Sequence, residues 1–105
     1  MTDKEKILQR IRKSVELSAP DANVILYGSY ARGSQSEQSD IDLLILLDKN
    51  RISREDETRI KYPLYDIEFE TGQIISPLVL SKSDWESQHI ITPFYENVMR
   101  EGIPV

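Results

Sequence analysis

Cysteine is absent from this 105-residue chain, so neither a disulfide framework nor a thiolate zinc site is open to it. Histidine occurs once, at His89, with no spaced Cys, His or Asp pattern around it, and reads as structural or exposed. No stretch of about 18 apolar residues is present, nor a signal-peptide core, which excludes a membrane helix from the reading. The opening "MTDKEKILQR" is amphipathic and charged, as part of a fold rather than an address. Basic charge is also scarce: the net charge of −5 argues against direct binding of nucleic acid, which needs a positive face to neutralise phosphates. Repeats, low-complexity tracts and dividing linkers are missing. The expectation is one domain over 1–105, cytoplasmic by default.

What is present alternates between helix and strand. Thr2 with Glu5 forms a capping-box pattern, and Ile7, Leu8, Ile11 and Val15 recur at helical spacing, predicting a helix over 3–18. Pro20 and Asp21 stop it. "NVILYG" then reads as a short buried strand ending at Gly28, followed by a turn or two of helix from Ser29 to Arg32. "DIDLLILLD" is apolar on both faces beyond Asp42, so a central strand over 41–47 is expected. Ser53 with Asp56 starts another helix.

Pro63 is expected to break or restart that helix. "PLYDIEFETG" reads either as a new helix, with Pro63 first and Gly72 just past its end, or as a strand. The helix is preferred, because a strand would crowd Asp66, Glu68 and Glu70 on one face. It places Leu64, Ile67 and Phe69 on one side. "QIISPLVLS" is a strand whose Pro77 implies an edge or a bulge. Ser83 and Glu86 cap a further helix, and Thr92-Pro93 opens the last one, which Gly102 ends. Trp85, Phe94, Tyr95 and Met99 sit at helical spacings that fit core packing; any of them left exposed would suggest a partner-binding patch.

The chemistry concentrates between Gly28 and Asp42. Residues two apart on a strand share a face, about 7 Å apart at ~3.3 Å per residue, so Asp40 and Asp42 repel unless a cation lies between them. Magnesium suits such a pair, taking one or two carboxylates together with substrate phosphates. Taken alone, a D-x-D is more often a strand cap and a solvated side chain. Gly28-Ser29 changes that weighing, because a strand-to-helix turn exposes N–H groups and a hydroxyl to an anion. A phosphate cradle and a two-carboxylate metal site on neighbouring strand ends can hold a nucleoside triphosphate with its magnesium. The metal would bring the positive charge that the chain lacks.

The run "GSYARGSQSEQSDIDLLILL" resembles the signature of the polymerase-beta-type nucleotidyltransferase superfamily, and of its small prokaryotic branch, the minimal nucleotidyltransferases. That resemblance implies an α/β (α+β) nucleotidyltransferase fold with a small mixed twisted sheet backed by helices. It also implies that Gly28 and Ser29 bind the triphosphate and that Asp40 and Asp42 bind Mg2+ or Mn2+ and carry catalysis. Arg32 reaches a phosphate or is simply solvated. The implied reaction is attack of an acceptor hydroxyl on the α-phosphate of ATP, adding AMP and releasing pyrophosphate. The implied partner is a helical protein of the HEPN type, a toxin for which this chain would be the antitoxin.

The sequence departs from that family at one point. Active members usually carry a third carboxylate on the next strand, and the corresponding position here falls on or near Ser76. Serine is a poor magnesium ligand and no general base at neutral pH. Asp66, Glu68 or Glu70 would substitute only if their segment were a strand beside the second one. Two readings stay open: a nucleotidyltransferase acting on a partner protein, and a degenerate nucleotide- and metal-binding antitoxin or regulator acting by contact. A vestigial site in an orphan domain is the bland third.

Overall fold

The computed structural model describes residues 2–34, 39–87 and 91–105; His89 and the expectation for it lie outside these. A four-stranded sheet has the order β3-β2-β1-β4, with β1 Asn23–Tyr27, β2 Ile41–Leu47, β3 Ile75–Ser81 and β4 Ile103–Pro104. β2 pairs antiparallel with β1 and parallel with β3, and β4 pairs antiparallel with β1. This is the mixed sheet backed by helices that the resemblance implied. The two-residue β4 went unforeseen: a strand that short, ending in Pro104, has no pattern to read.

β2 organises the packing because both of its faces are buried. Ile41, Leu43 and Ile45 join one core cluster with Ile11 and Val15 of α1 (Asp3–Ser18) and with Ile60, Leu64 and Ile67 of α3 (Arg54–Thr71). Leu44 and Leu46 join the other, with Trp85 of α4 (Lys82–Ser87) and Val98 of α5 (Pro93–Glu101). Phe94 and Tyr95 pack against that second cluster, as core readings of the aromatics require, whereas Met99 is exposed.

The caps agree with the sequence in most cases. Thr2 and Thr92 accept from the N–H groups of Glu5 and Tyr95, and Gly72 and Gly102 end their helices. At α4 the cap is Ser81, which accepts from the Asp84 N–H at 3.0 Å, rather than Ser83.

Two expectations for α3 are corrected. The helix runs unbroken through Pro63. The missing N–H leaves the Arg59 carbonyl without its helical partner, at a point where Arg59 is exposed and Pro63 only half-buried. Buried Ile60, Leu64 and Ile67 on both sides of the proline need one continuous apolar face, which offsets the propensity cost of about 3 kcal/mol. Phe69 does not share that face: it is 91% exposed.

β3 is an edge strand, as Pro77 suggested. Ile41 N–H donates to the Ile74 carbonyl, so Ser76 and Leu78 turn their backbone groups toward β2 while Ile75 and Pro77 turn theirs outward. Pro77 has no N–H to offer there, and Ile75 N–H is taken by Glu68 Oε1 at 2.7 Å. Both features blunt the edge against strand addition.

The most concentrated polar anchor lies at the start of α3. Asp56 is 1% exposed and completes a capping box with Ser53. Lys49 Nζ donates to both its oxygens at 2.9 Å, and Arg59 Nη2 to Oδ1 at 2.9 Å. The Lys49 ammonium first, then the Ser53 N–H, hold its carboxyl well below the usual range. A depressed folded-state value stabilises above the unfolded value of ~3.9, and that stability drains as pH falls below it. Ser53→Ala should cost about 1 kcal/mol. Asp56→Asn should lower the Tm further at neutral pH, and the gap from wild type should narrow below about pH 4 in a thermal-melt series.

Candidate active site

Asp40 immediately precedes β2 and Asp42 is its second residue. Ile41 between them is buried in the α1/α3 core, so both carboxylates belong to the opposite face. Across the sheet, Asp42 aligns with Tyr27 of β1 and with Ser76 of β3. Ser76 Oγ donates to Asp40 Oδ2 at 3.4 Å. Ser76 thus stands beside the carboxylate pair, on the strand that follows β2 in the sheet.

Burial first, and then the charge of Asp40, push the Asp42 carboxyl above its usual range, while Arg32 partly offsets them. Burial and Asp42 likewise raise the Tyr27 phenol. The pair thus carries a repulsion that a cation would relieve. Two carboxylates beside a polar turn are the hard oxygen donors that magnesium accepts, with its remaining positions left to phosphate and water.

The turn is bound to Asp42 by sterics. Gly28 has φ 76° and ψ −156°, and a Cβ placed there would lie 2.4 Å from Asp42 Oδ2. Only glycine allows both the backbone conformation and the close approach. α2 (Ser29–Arg32) follows at once, so the N–H groups of Ser29 and Tyr30 have no acceptor within the helix.

A bracket that sequence reasoning missed fixes the two ends of the loop between α2 and β2. Tyr30 is buried and its Oη donates to Gln73 Oε1 at 2.5 Å. Gln73 Nε2 donates in turn to the Ser39 carbonyl at 2.7 Å, next to Asp40. Lys4 Nζ donates to the Tyr30 carbonyl at 3.0 Å. The one available signal was Tyr30 itself, an aromatic inside an otherwise small and polar motif.

The alternative sources of a third carboxylate do not reach the pair. Asp66, Glu68 and Glu70 lie on α3, which covers the other face of the sheet. Glu68 is held by Ile75 N–H, and Glu70 pairs with Arg10. Among the described residues no group of three or more His, Cys, Asp or Glu is placed to hold a metal ion. Arg32 is neither free nor on the carboxylate pair: its Nη1 donates to Glu101 Oε2 at 3.0 Å.

Gly28→Ala should lower stability by about 1–3 kcal/mol, from left-handed backbone strain together with the overlap with Asp42. In an Asp42→Ala background the overlap disappears and the strain stays, so the penalty should shrink without vanishing. Denaturant titration of the four proteins measures this.

The chain matches the nucleotidyltransferase domain family model over residues 5–91. A relative in Methanocaldococcus jannaschii, named "Putative protein adenylyltransferase", is 32% identical over 103 residues, covering 95% of this chain and 96% of its own. A solved structure described as a "putative minimal nucleotidyltransferase" covers 99% of this chain and 97% of its own at 28% identity, with a TM-score of 0.64. A chain from a toxin–antitoxin crystal structure with AMP-PNP shares the fold, with a TM-score of 0.65 and 18% identity over 91% of this chain and 69% of its own. By sequence and by fold, this chain belongs to the nucleotidyltransferase domain family.

Proposed function

We propose that this nucleotidyltransferase transfers AMP from magnesium-bound ATP to a hydroxyl of a partner protein, a helical HEPN-type toxin for which it is the antitoxin. The observation that carries this reading is the Gly28 turn packed against Asp42, with Asp40 on the same face. The adenylyltransferase name of its relative and the AMP-PNP toxin–antitoxin neighbour support an adenine nucleotide and a toxin–antitoxin setting, while the HEPN type of the partner rests on the family resemblance.

In this reading Asp40 and Asp42 hold the divalent ion, and the backbone at Gly28-Ser29 cradles phosphate oxygens, with Arg32 within reach of them. When bound, the ion supplies positive charge to the transferring phosphoryl group. The acceptor oxygen attacks the α-phosphorus in line, its bond to the β-phosphate oxygen breaks, and pyrophosphate leaves. The acceptor proton passes to solvent, because Ser76 cannot take it at neutral pH. Transfer is therefore slow or dependent on the partner.

Ser76 also favours a second reading, a nucleotide- and metal-binding antitoxin that acts by contact. No described helix is long and apolar enough to cross a membrane, so neither reading places the domain within one.

Magnesium with ATP should raise the Tm, by on the order of 10 °C at a hundredfold excess over Kd, where linkage gives about 2.7 kcal/mol. Asp42→Asn should abolish the rise; its survival would move the site elsewhere. Labelled ATP incubated with the partner should label it slowly, and Ser76→Asp should speed labelling. Binding without transfer in both proteins selects the contact reading.

A further inference from the structure

A cleft of about 240 Å3 opens beside the phosphate turn, lined among others by Tyr27, Gly28, Arg32, Phe94, Asn97 and Glu101. Its wall carries an ionic cluster. Glu101 Oε2 accepts from Arg32 Nη1 at 3.0 Å, while Oε1 lies 3.6 Å from Arg100 Nη2. Arg100 also donates to Asn97 Oδ1 at 2.9 Å. The carboxylate is the most enclosed member, its side chain 26% exposed against 49% for Arg32 and 62% for Arg100.

Helix α5 gives no reason for an acid at this place. Glu101 stands in its last turn, where the macrodipole disfavours negative charge. The two guanidiniums are its favourable surroundings. Arg32 in turn lies close enough to Asp42 to favour its charged form, so the arginine held by Glu101 also acts on the carboxylate pair's side of the turn.

Resting on the nucleotide-binding reading above, we infer that Glu101 is a built-in competitor for the triphosphate at Arg32. A carboxylate and a phosphate use the same guanidinium geometry, so an anion seated on the Gly28 turn takes Arg32 only when Glu101 lets go. The exchange lowers affinity for every anion but favours those of higher charge, so a polyphosphate displaces Glu101 where orthophosphate does not. The bland alternative is an exposed ion pair fastening α5 to α2, worth little in stability and nothing in binding.

The test titrates wild type, Glu101→Gln, Arg32→Ala and the double variant with two probes, inorganic tripolyphosphate without metal and magnesium–ATP. Glu101→Gln should tighten both by about three- to tenfold at low ionic strength. Added salt should shrink the gain. Arg32→Ala should weaken both probes, and adding Glu101→Gln to it should restore nothing. Glu101→Asp keeps the charge but shortens the reach, and should give a smaller gain. Unchanged or weaker binding in Glu101→Gln, or a gain that persists without Arg32, overturns the inference. If no protein binds magnesium–ATP while Glu101→Gln still tightens tripolyphosphate through Arg32, the transferase reading falls and the competition stands. If Asp42→Asn abolishes magnesium–ATP binding while Glu101→Gln alters neither probe, the competition falls and the transferase reading stands.

Discussion

The contact between the Gly28 backbone and the Asp42 carboxylate constrains the rest of the site. Tyr27 and Asp42 are paired residues of antiparallel strands, so the chain leaving β1 must turn directly over the side chain entering β2. A Cβ at that turn would overlap Asp42 Oδ2, and the positive φ leaves glycine as the unstrained choice. One close approach thereby sets a run of backbone N–H groups beside a pair of carboxylates. The Tyr30–Gln73–Ser39 chain of hydrogen bonds then holds the ends of the intervening loop at that spacing. Rigid support of this kind is what a site needs if its two halves come from different strands.

The alternation of elements was legible because local signals agreed with tertiary demand. Caps at Thr2, Ser53 and Thr92 and stops at Gly72 and Gly102 are short-range chemistry, and the burial of β2 on both faces is written in its composition. The failures occurred where packing overrode a local rule. Pro63 should interrupt a helix, yet Ile60, Leu64 and Ile67 hold one core face across it. Phe69 looked like part of that face, but the turn of the helix carries it into solvent. β4 depends wholly on pairing with β1 and has no pattern of its own.

The site was legible to a similar depth. Asp40 and Asp42 share a face by strand periodicity, Gly28 was marked by turn chemistry, and Ser76 was singled out by the family resemblance; the parallel register sets Ser76 across from Asp42. Tyr30, Gln73 and Glu101 act through contacts 43 and 69 residues apart in the chain, which no window along the sequence can reveal. Arg32 shows the limit best: its type was readable, its partner was not.

Ser76 has a physical consequence beyond the missing base. Asp42 is already raised by burial and by Asp40, so the pair is repulsive before any cation arrives. A third acid aligned across the strands would add to that repulsion, since like charges on cross-strand neighbours destabilise a sheet. Position 76 also lies on an edge strand that Pro77 and Glu68 keep from adding further strands, so β3 has β2 as its only strand partner among the described residues. Serine there donates to Asp40 rather than opposing it, which adds no further charge to the pair. In the proposed reaction the same hydroxyl would offer the acceptor proton no base. In that reaction, stability of the fold and speed of transfer would pull position 76 in opposite directions, and serine is the residue that favours stability.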